Sequence, residues 1–188
     1  GQTAECAHTE VPLDWDEPSG RKIDYFVKRI PAPQQPARGQ AWLLQGGPGF
    51  PGSTIEGLAS LIQADHPDLD VWVPDHRGTG YSNELVCASL DPVPSTSQPI
   101  DPQVAALEGQ ACVDALTADW GADLKFFSAT DAARDVGEII AATRAPGDDV
   151  FVLGVSYGTR WAHRYLQQFP DQATGVIFDS SFGEPGDF

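Results

Sequence analysis

The amino-acid sequence predicts an α/β fold in which a mainly parallel sheet is flanked by helices. Short apolar runs that end in glycine-bearing turns alternate along the chain with segments of helical periodicity, an alternation typical of parallel sheets. The chain has 188 residues, of which 41% are hydrophobic, so it can bury a substantial core. No internal repeat and no second regime of composition interrupts the sequence. We therefore expect residues 1–188 to belong to one domain.

Six strands are predicted, beginning with a pair that flanks a turn-rich spacer at residues 16–20. This pair suits a hairpin-like opening, and the proline-rich segment 31–40 after it is predicted to be a loop. The other four are short apolar runs, as expected for parallel strands that are buried on both faces. The predicted strands are Val11–Trp15, Lys22–Ile30, Ala41–Gln45, Asp70–Pro74, Val150–Leu153 and Val176–Phe178.

Three helices are predicted between these strands. Ser53 and Glu56 have the spacing of a capping box at the start of the first helix. Asp131 and Asp135 lie early in the second, where carboxylates complement the helix dipole. Pro170 ends the third, whose apolar residues recur at helical spacing. The predicted helices are Thr54–Ala64, Thr130–Arg144 and Tyr157–Phe169.

The charge of the chain excludes several classes of partner. A formal net charge of −16 would repel nucleic acids and anionic membrane surfaces, whose binding depends on clustered Lys and Arg. No apolar run approaches the roughly 18 to 20 residues of a membrane span. The cysteines show neither the paired spacing of a zinc site nor a redox motif. We therefore expect no nucleic acid, no membrane, no metal and no cofactor.

The three cysteines bear on the compartment. Cys87 and Cys112 flank the Pro- and Ser-rich stretch 91–102, and a disulfide between them would stabilise the fold by about 3 kcal/mol through loop closure. Two buried thiols in a cytosolic enzyme are the alternative. Cys6 is left over in either case, with a partner expected outside this chain. A chain that begins at Gly1 and contains no methionine indicates a processed or recombinant product whose leader was removed, which favours export.

The segment around Ser156 predicts a catalytic nucleophile. A predicted strand, the turn Gly154-Val155-Ser156-Tyr157-Gly158 and a predicted helix follow one another, which is the context that a G-x-S-x-G motif requires. Gly154 and Gly158 permit the tight turn and the close approach of helix to strand. The helix N-terminus favours negative charge that develops beside the serine. The alternative is a serine in an ordinary strand-to-helix turn.

A second glycine-rich turn follows the predicted strand Ala41–Gln45. We assign the oxyanion hole to the backbone N–H groups of Gly47 and Tyr157, because the residue after the nucleophile supplies one donor and an early loop supplies the other. Gly46, Pro48 and Gly49 are predicted to support this loop. A Gly-Gly-Pro-Gly sequence by itself more often forms an ordinary turn. Its assignment to an oxyanion hole depends on the presence of the Ser156 motif.

The segment 75–82, Asp-His-Arg-Gly-Thr-Gly-Tyr-Ser, leaves the carboxyl end of another predicted strand, the edge where α/β enzymes place their sites. Asp75 and Arg77 are candidates for site support, with Arg77 expected to pin the loop to carbonyls or carboxylates. We favour this structural role over a catalytic one.

At these three motifs the chain resembles a known family, the prolyl and tripeptidyl aminopeptidases among the α/β-hydrolases. The motifs at 46–49, 75–82 and 154–158 have that family's order and similar separations. Val11–Trp15 resembles the opening strand of the secreted tripeptidyl aminopeptidases, often preceded by a cysteine as here by Cys6. The resemblance covers essentially the whole chain. It implies the α/β-hydrolase fold and a serine exopeptidase that removes short N-terminal pieces, with relatives that act on esters or amides.

The catalytic Asp and His are expected elsewhere, because in α/β-hydrolases they follow the nucleophile on later strands. None of the four histidines is a good candidate for the base. His163 is predicted to face solvent, and His8 lies near the N-terminus. His66 directly precedes a proline, and His76 belongs to the Asp-His-Arg-Gly motif. We expect the chain to be the N-terminal part of a catalytic domain, without its cap and C-terminal strands. Such a chain would be either proteolytically nicked or truncated. The remainder is predicted to be a tightly associated second chain, since the strand at 176–178 would otherwise leave an exposed edge.

Two other functions fit the same motifs. A secreted esterase or amide hydrolase would share every motif and differ only in the cap, so the expected substrate is a peptide or a small ester or amide. A catalytically inactive binding module with this fold is the other alternative. It is favoured by the absent base and disfavoured by the intact motif at Ser156.

Overall fold

The computed structural model describes residues 3–87 and 102–181, with the backbone alone described over 102–108. The chain divides into two compact units, one formed by Gly1–Glu84 with Ser128–Phe188 and the other by Leu85–Phe127. The first unit contains the sheet and the candidate site. The second contains a helix and a disulfide.

The first unit is built on a six-stranded sheet in the order β1-β2-β4-β3-β5-β6. The strands β3, β4, β5 and β6 run parallel to one another, whereas β1 and β2 form an antiparallel hairpin and β2 joins β4 in an antiparallel pair. The predicted mainly parallel sheet is therefore confirmed. The strands are β1 Glu5–Pro12, β2 Lys22–Ile30, β3 Gly39–Leu44, β4 Leu69–Pro74, β5 Asp149–Val155 and β6 Gly175–Asp179.

Helices pack on both faces of this sheet. Residues alternate along β5, so that Val150 and Val152 are fully buried while Phe151 and Leu153 on the opposite face are only partly buried. The face of Phe151 and Leu153 packs on α1. The opposite side contains α3 and α4, which pack extensively on each other, and α4 also packs on β5. The helices are α1 Leu58–Asp65, α2 Pro102–Trp120, α3 Ala129–Thr143 and α4 Tyr157–Gln168.

Two predicted elements, the first strand and the first helix, differ most from their observed bounds. The first strand ends at Pro12 and begins at Glu5, because its exposed polar half pairs with β2 through the backbone and needs no apolar pattern. The helix predicted from residue 54 begins at Leu58, after a separate 3-10 turn over Gly52–Thr54. The capping box does not form, since Ser53 lies inside that turn and Gly57 is the N-cap, without a side-chain hydrogen bond.

The second unit contains the helix α2, which the sequence did not predict. Cys87 and Cys112 form the expected disulfide, with their Cα atoms 5.1 Å apart, and it joins the start of this unit to α2. Most of the stretch 91–102 between them lies outside the described residues. Cys6, on β1 of the first unit, is free and exposed.

Candidate active site

Ser156 lies in a strained turn between β5 and α4. Its φ is 53° and its ψ is −120°, a backbone conformation that residues other than glycine rarely adopt. The residue is exposed, and as the N-cap of α4 its side chain makes no capping hydrogen bond. The Ser156 N–H donates to the carbonyl oxygen of Asp179 at 2.9 Å, which ties the turn to the end of β6. The hydroxyl is thereby left at the surface, at a helix N-terminus.

Two glycines make this turn sterically possible. A Cβ on Gly154 would collide with the carbonyl oxygen of Gly158, and a Cβ on Gly158 would collide with the carbonyl oxygen of Leu44 at the end of β3. The first turn of α4 therefore lies directly against two strands. Any side chain at either glycine would push the helix away and move Ser156 with it.

The glycine-rich loop after β3 meets this turn. A Cβ built on Gly46 would lie 2.9 Å from Ser156 Cβ and 3.0 Å from the Tyr157 backbone nitrogen, so the two backbones are in contact. The Gly46 N–H donates to the side-chain oxygen of Gln45 at 2.6 Å. Pro48 has no N–H. Gly47, with φ at 115°, is therefore the candidate donor of this loop, beside the N–H of Tyr157, which has no intrahelical acceptor by its position.

Asp75 joins two loops at the same edge of the sheet. Its buried carboxylate accepts a hydrogen bond from the Gly52 N–H at 2.6 Å and another from the Tyr81 N–H at 2.8 Å. The Ser82 hydroxyl donates to the Asp75 carbonyl oxygen and accepts from the Phe26 N–H on β2. The loop after β3 and the loop after β4 are thus held to each other and to the sheet.

Arg77 lies fully buried in the same loop and contacts a carboxylate and two carbonyls. Its guanidinium donates to both oxygens of Asp135 on α3, at 2.8 and 2.6 Å, and to the carbonyl oxygens of Pro12 and Leu13. Trp15 Nε1 donates to the same Asp135 carboxylate at 2.8 Å. Burial raises the pKa of Asp135 to about 6, against the lowering effect of the guanidinium. The pair connects the loop to α3 and to the segment after β1.

Asp135 is a residue whose role the sequence interpretation missed. It was interpreted as a complement to the helix dipole, yet it is fully buried on the inner face of α3 together with Ala132 and Val136. A carboxylate within an apolar stripe requires a buried cation, and this was the available signal. Its partner, Arg77, is 58 residues away in the chain, so the pairing itself could not be identified from spacing.

His76 packs beneath the first turn of α4. Its Nδ1 lies 2.8 Å from the Arg77 carbonyl oxygen, which only accepts, so Nδ1 carries the hydrogen and donates it. The ring contacts Tyr157 at 6.0 Å and Trp161 at 4.8 Å between ring centroids. Burial lowers the pKa of His76 to about 4, so the ring is neutral at physiological pH. His76 Nε2 is buried and without a hydrogen-bond partner among the described residues.

The other three histidines lie on β1, at the end of α1 and on α4. His8 on β1 pairs with Asp24 at 2.6 Å, and His66 is the exposed C-cap of α1. His163, predicted to face solvent, is half-buried on α4. No histidine among the described residues hydrogen-bonds to the Ser156 hydroxyl, and within the same residues no cluster of three or more potential ligands could hold a metal ion. No helix in the described part of the chain is long and apolar enough to cross a membrane.

Comparison with known proteins agrees with this geometry at the level of the family. Residues 43–188 match the α/β hydrolase fold family, and the chain therefore belongs to the α/β-hydrolases. A putative hydrolase from Agrobacterium vitis S4 superposes with a TM-score of 0.55 at 10% sequence identity, over 94% of this chain and 52% of the other. That likeness concerns the fold alone.

Among curated proteins, the chain is similar to two named peptidases. It is 28% identical over 192 residues to serine protease Hip1 of Mycobacterium tuberculosis and 27% identical over 193 residues to a tripeptidyl aminopeptidase of Streptomyces lividans. Each match covers 94% of this chain and 35% of the relative, so the chain spans about a third of the length of these relatives.

Proposed function

We propose that this chain is the nucleophile-bearing part of a serine exopeptidase that releases N-terminal residues or short peptides through an acyl-enzyme on Ser156. The observation that carries the proposal is the turn itself: an exposed serine at φ 53°, at the N-terminus of α4, in contact with a glycine loop that offers a second N–H. The names of the two peptidases support the choice of peptide over other substrates.

In the proposed reaction, Ser156 Oγ attacks the scissile carbonyl carbon while a histidine takes the hydroxyl proton. The N–H groups of Gly47 and Tyr157 hold the negative charge that develops on the carbonyl oxygen. The histidine then gives its proton to the leaving amine as the C–N bond breaks. Water, deprotonated by the same histidine, attacks the ester, and the released serine oxygen regains a proton.

The catalytic Asp and His are proposed to lie in a C-terminal remainder of the same hydrolase, tightly associated with this chain. Two structural features support this. In the described residues β6 pairs with β5 alone, and Ile177 on it is 58% exposed. An apolar cavity of about 260 Å³ lies beside it, lined by residues that include Ile62, Phe151 and Leu153. Native mass spectrometry tests the proposal, and a monomeric chain that turns over substrate without any companion contradicts it.

Replacement of the nucleophile tests the proposed chemistry in the assembled enzyme. Ser156→Ala should lower kcat/KM by at least about 10⁴-fold on a tripeptidyl amide, because the covalent intermediate cannot form. Ser60→Ala, an exposed serine on α1, is the matched control and should leave turnover unchanged. Activity retained by Ser156→Ala would exclude this residue as the nucleophile.

A carboxylesterase is the second candidate, because 96 residues of the chain are 31% identical to Carboxylesterase B of Mycobacterium tuberculosis. The free N-terminal amine of the substrate discriminates the two functions. An exopeptidase should lose activity when a tripeptidyl amide is acetylated at its N-terminus, whereas an esterase should hydrolyse acyl esters that carry no amine. Failure to react with a fluorophosphonate in the assembled protein would favour an inactive binding module instead.

Export from the cytoplasm is proposed as well. The Cys87–Cys112 disulfide supports it, because structural disulfides persist mainly in oxidising compartments. Thiol counting by mass spectrometry on protein from the native source should find the pair oxidised in the exported fraction. A reduced pair in the exported fraction, or absence of the protein from that fraction, contradicts export.

A further inference from the structure

Two large aromatic side chains stand exposed in the loops that follow β3 and β4. Phe50 is 61% exposed and Tyr81 is 68% exposed. A single exposed ring needs no functional explanation, so what distinguishes these two rings is where each one lies.

Asp75 fixes the backbone beneath both rings. One carboxylate oxygen accepts from the Gly52 N–H and the other from the Tyr81 N–H, at 2.6 and 2.8 Å. The two loops also touch, since a Cβ built on Gly80 would lie 2.9 Å from the Pro51 side chain. Phe50 and Tyr81 are the chain neighbours of these touching residues. The backbone that carries both rings is therefore held in place by Asp75.

The contacts of Phe50 lead to the nucleophile. A Cβ built on Gly47 would lie 3.0 Å from Phe50 Cδ2, and one built on Gly46 would lie 2.9 Å from Ser156 Cβ. With a spacing of about 3.8 Å between neighbouring Cα atoms, Phe50 Cδ2 lies at most about 13 Å from Ser156 Cβ. Because an extended peptide advances about 3.5 Å per residue, this bound keeps the ring within about four residues of Ser156 along a bound peptide. The contact with Gly47 places it beside the assigned oxyanion donor.

Tyr81 is held in a different direction. Its ring packs on Phe26 at 5.0 Å and on His8 at 6.4 Å, on the hairpin strands at the far edge of the sheet. Tyr81 is thus an aromatic residue of similar exposure, clamped by the same carboxylate, that serves as an internal control for Phe50.

The composition of the loop that carries Phe50 favours an apolar ligand. Residues 45–55 contain no charged side chain, in a protein whose net charge is −16. A charged substrate side chain would find no counter-ion on this loop, whereas an aliphatic or aromatic group would bury apolar surface against the ring.

On the basis of the proposed function, we propose that Phe50 forms one wall of an apolar subsite for the side chain of the residue whose carbonyl Ser156 attacks. The carbonyl oxygen of that residue lies at the Gly47 N–H, and its side chain branches from the adjoining Cα. The absence of a side chain at Gly47 lets the Phe50 ring approach it.

The test uses the enzyme assembled with its remainder and two tripeptidyl amides with free N-termini that differ only in the residue before the scissile bond, Leu or Ala. Phe50→Ala should lower kcat/KM about tenfold for the Leu substrate and less than about twofold for the Ala substrate. Phe50→Leu should retain most of the preference for Leu. Tyr81→Ala should leave the ratio of the two substrates unchanged.

Equal losses on both substrates, or the same change of ratio in Tyr81→Ala, would overturn the subsite. Labelling of Ser156 by a fluorophosphonate, measured first on each variant, separates this outcome from failure of the proposed function. Absent labelling of the unmodified enzyme contradicts the nucleophile and the subsite with it. Normal labelling with an unchanged Leu-to-Ala ratio contradicts the subsite alone.

Discussion

Two loops at the same edge of the sheet acquire their shape by opposite means. The turn around Ser156 depends on missing side chains, since Gly154 and Gly158 allow backbone to lie directly on backbone. The loop after β4 depends on buried charged side chains, with Asp75 clamping two loops and Arg77 joined to α3. The exposed Ser156 is thus supported by close backbone packing, while the loop beside it is supported by a hydrogen-bonded interior.

The turn carries a conformational cost that the neighbouring backbone offsets. A residue other than glycine in such a conformation costs about 1–3 kcal/mol. The bond from the Ser156 N–H to Asp179 holds one side of the turn. Thr159 holds the other, because its N–H and its hydroxyl both donate to the Ser156 carbonyl oxygen. The strain is therefore maintained by β6 and by α4 together.

The largest effect on stability is expected from a methyl group in the turn. Gly158→Ala should destabilise the fold by more than about 4 kcal/mol, because the new Cβ collides with a backbone carbonyl that cannot move aside. Denaturant unfolding monitored by circular dichroism measures the change. Gly57→Ala is the matched control, since a Cβ there meets nothing within 4 Å, and it should be nearly neutral. A small effect of Gly158→Ala would contradict the close-packing account of the turn.

The second-largest loss of stability is expected from removal of the buried guanidinium of Arg77. Arg77→Ala leaves the Asp135 carboxylate buried without its cation and should cost about 3–5 kcal/mol. Arg77→Lys should recover only part of this, because an ammonium cannot reproduce the paired hydrogen bonds. The double change Arg77→Met with Asp135→Leu should be more stable than Arg77→Ala in the same unfolding measurement. Equal stability of all three variants would show that the pair does not support the loop.

A smaller effect, dependent on pH, is expected at His76. The pKa of its ring falls from 6.5 to about 4 on folding, so the unfolded chain binds a proton that the folded chain does not. The neutral ring therefore stabilises the folded state fully above pH 6.5, and about 3 kcal/mol of that stability is lost as the pH falls toward 4. Asp135, whose raised pKa is about 6, has the opposite effect, since its contribution to stability is lost as the pH rises from 4 to 6. Because this contribution is common to the unmodified protein and a His76 variant, comparing the two isolates the effect of His76.

The measurement is the difference in unfolding free energy between the unmodified protein and His76→Gln. As the pH falls from 7 to 4, the unmodified protein should lose about 3 kcal/mol of stability relative to His76→Gln, because glutamine does not titrate. A difference that stays constant with pH would mean that the ring is not held neutral beneath α4.

The sequence predicted those features whose cause is local. The Ser156 turn and its flanking strand and helix were identified because glycines at 154 and 158 have a steric meaning that neighbouring residues reveal. The loop at Gly46 was predicted for the same reason. The mainly parallel sheet followed from buried apolar runs.

Features whose cause lies far along the chain could not be predicted. The exposed half of β1 is held by backbone pairing with β2, which has no apolar signature. Helix α2 was missed because its described side chains are mostly exposed and give no apolar stripe. Asp135 pairs with Arg77 across 58 residues. The proposed role of Phe50 is visible only once its ring is seen to lie against Gly47, in the loop that meets the Ser156 turn.

The site of a covalent adduct shows whether the turn presents Ser156 as the nucleophile. The assembled protein is treated with a fluorophosphonate, digested and mapped by peptide mass spectrometry, with Ser156→Ala treated in parallel. One adduct is expected, on the peptide that contains Ser156, and none in the variant. An adduct on a different serine, or an equal adduct in Ser156→Ala, would contradict this role of Ser156.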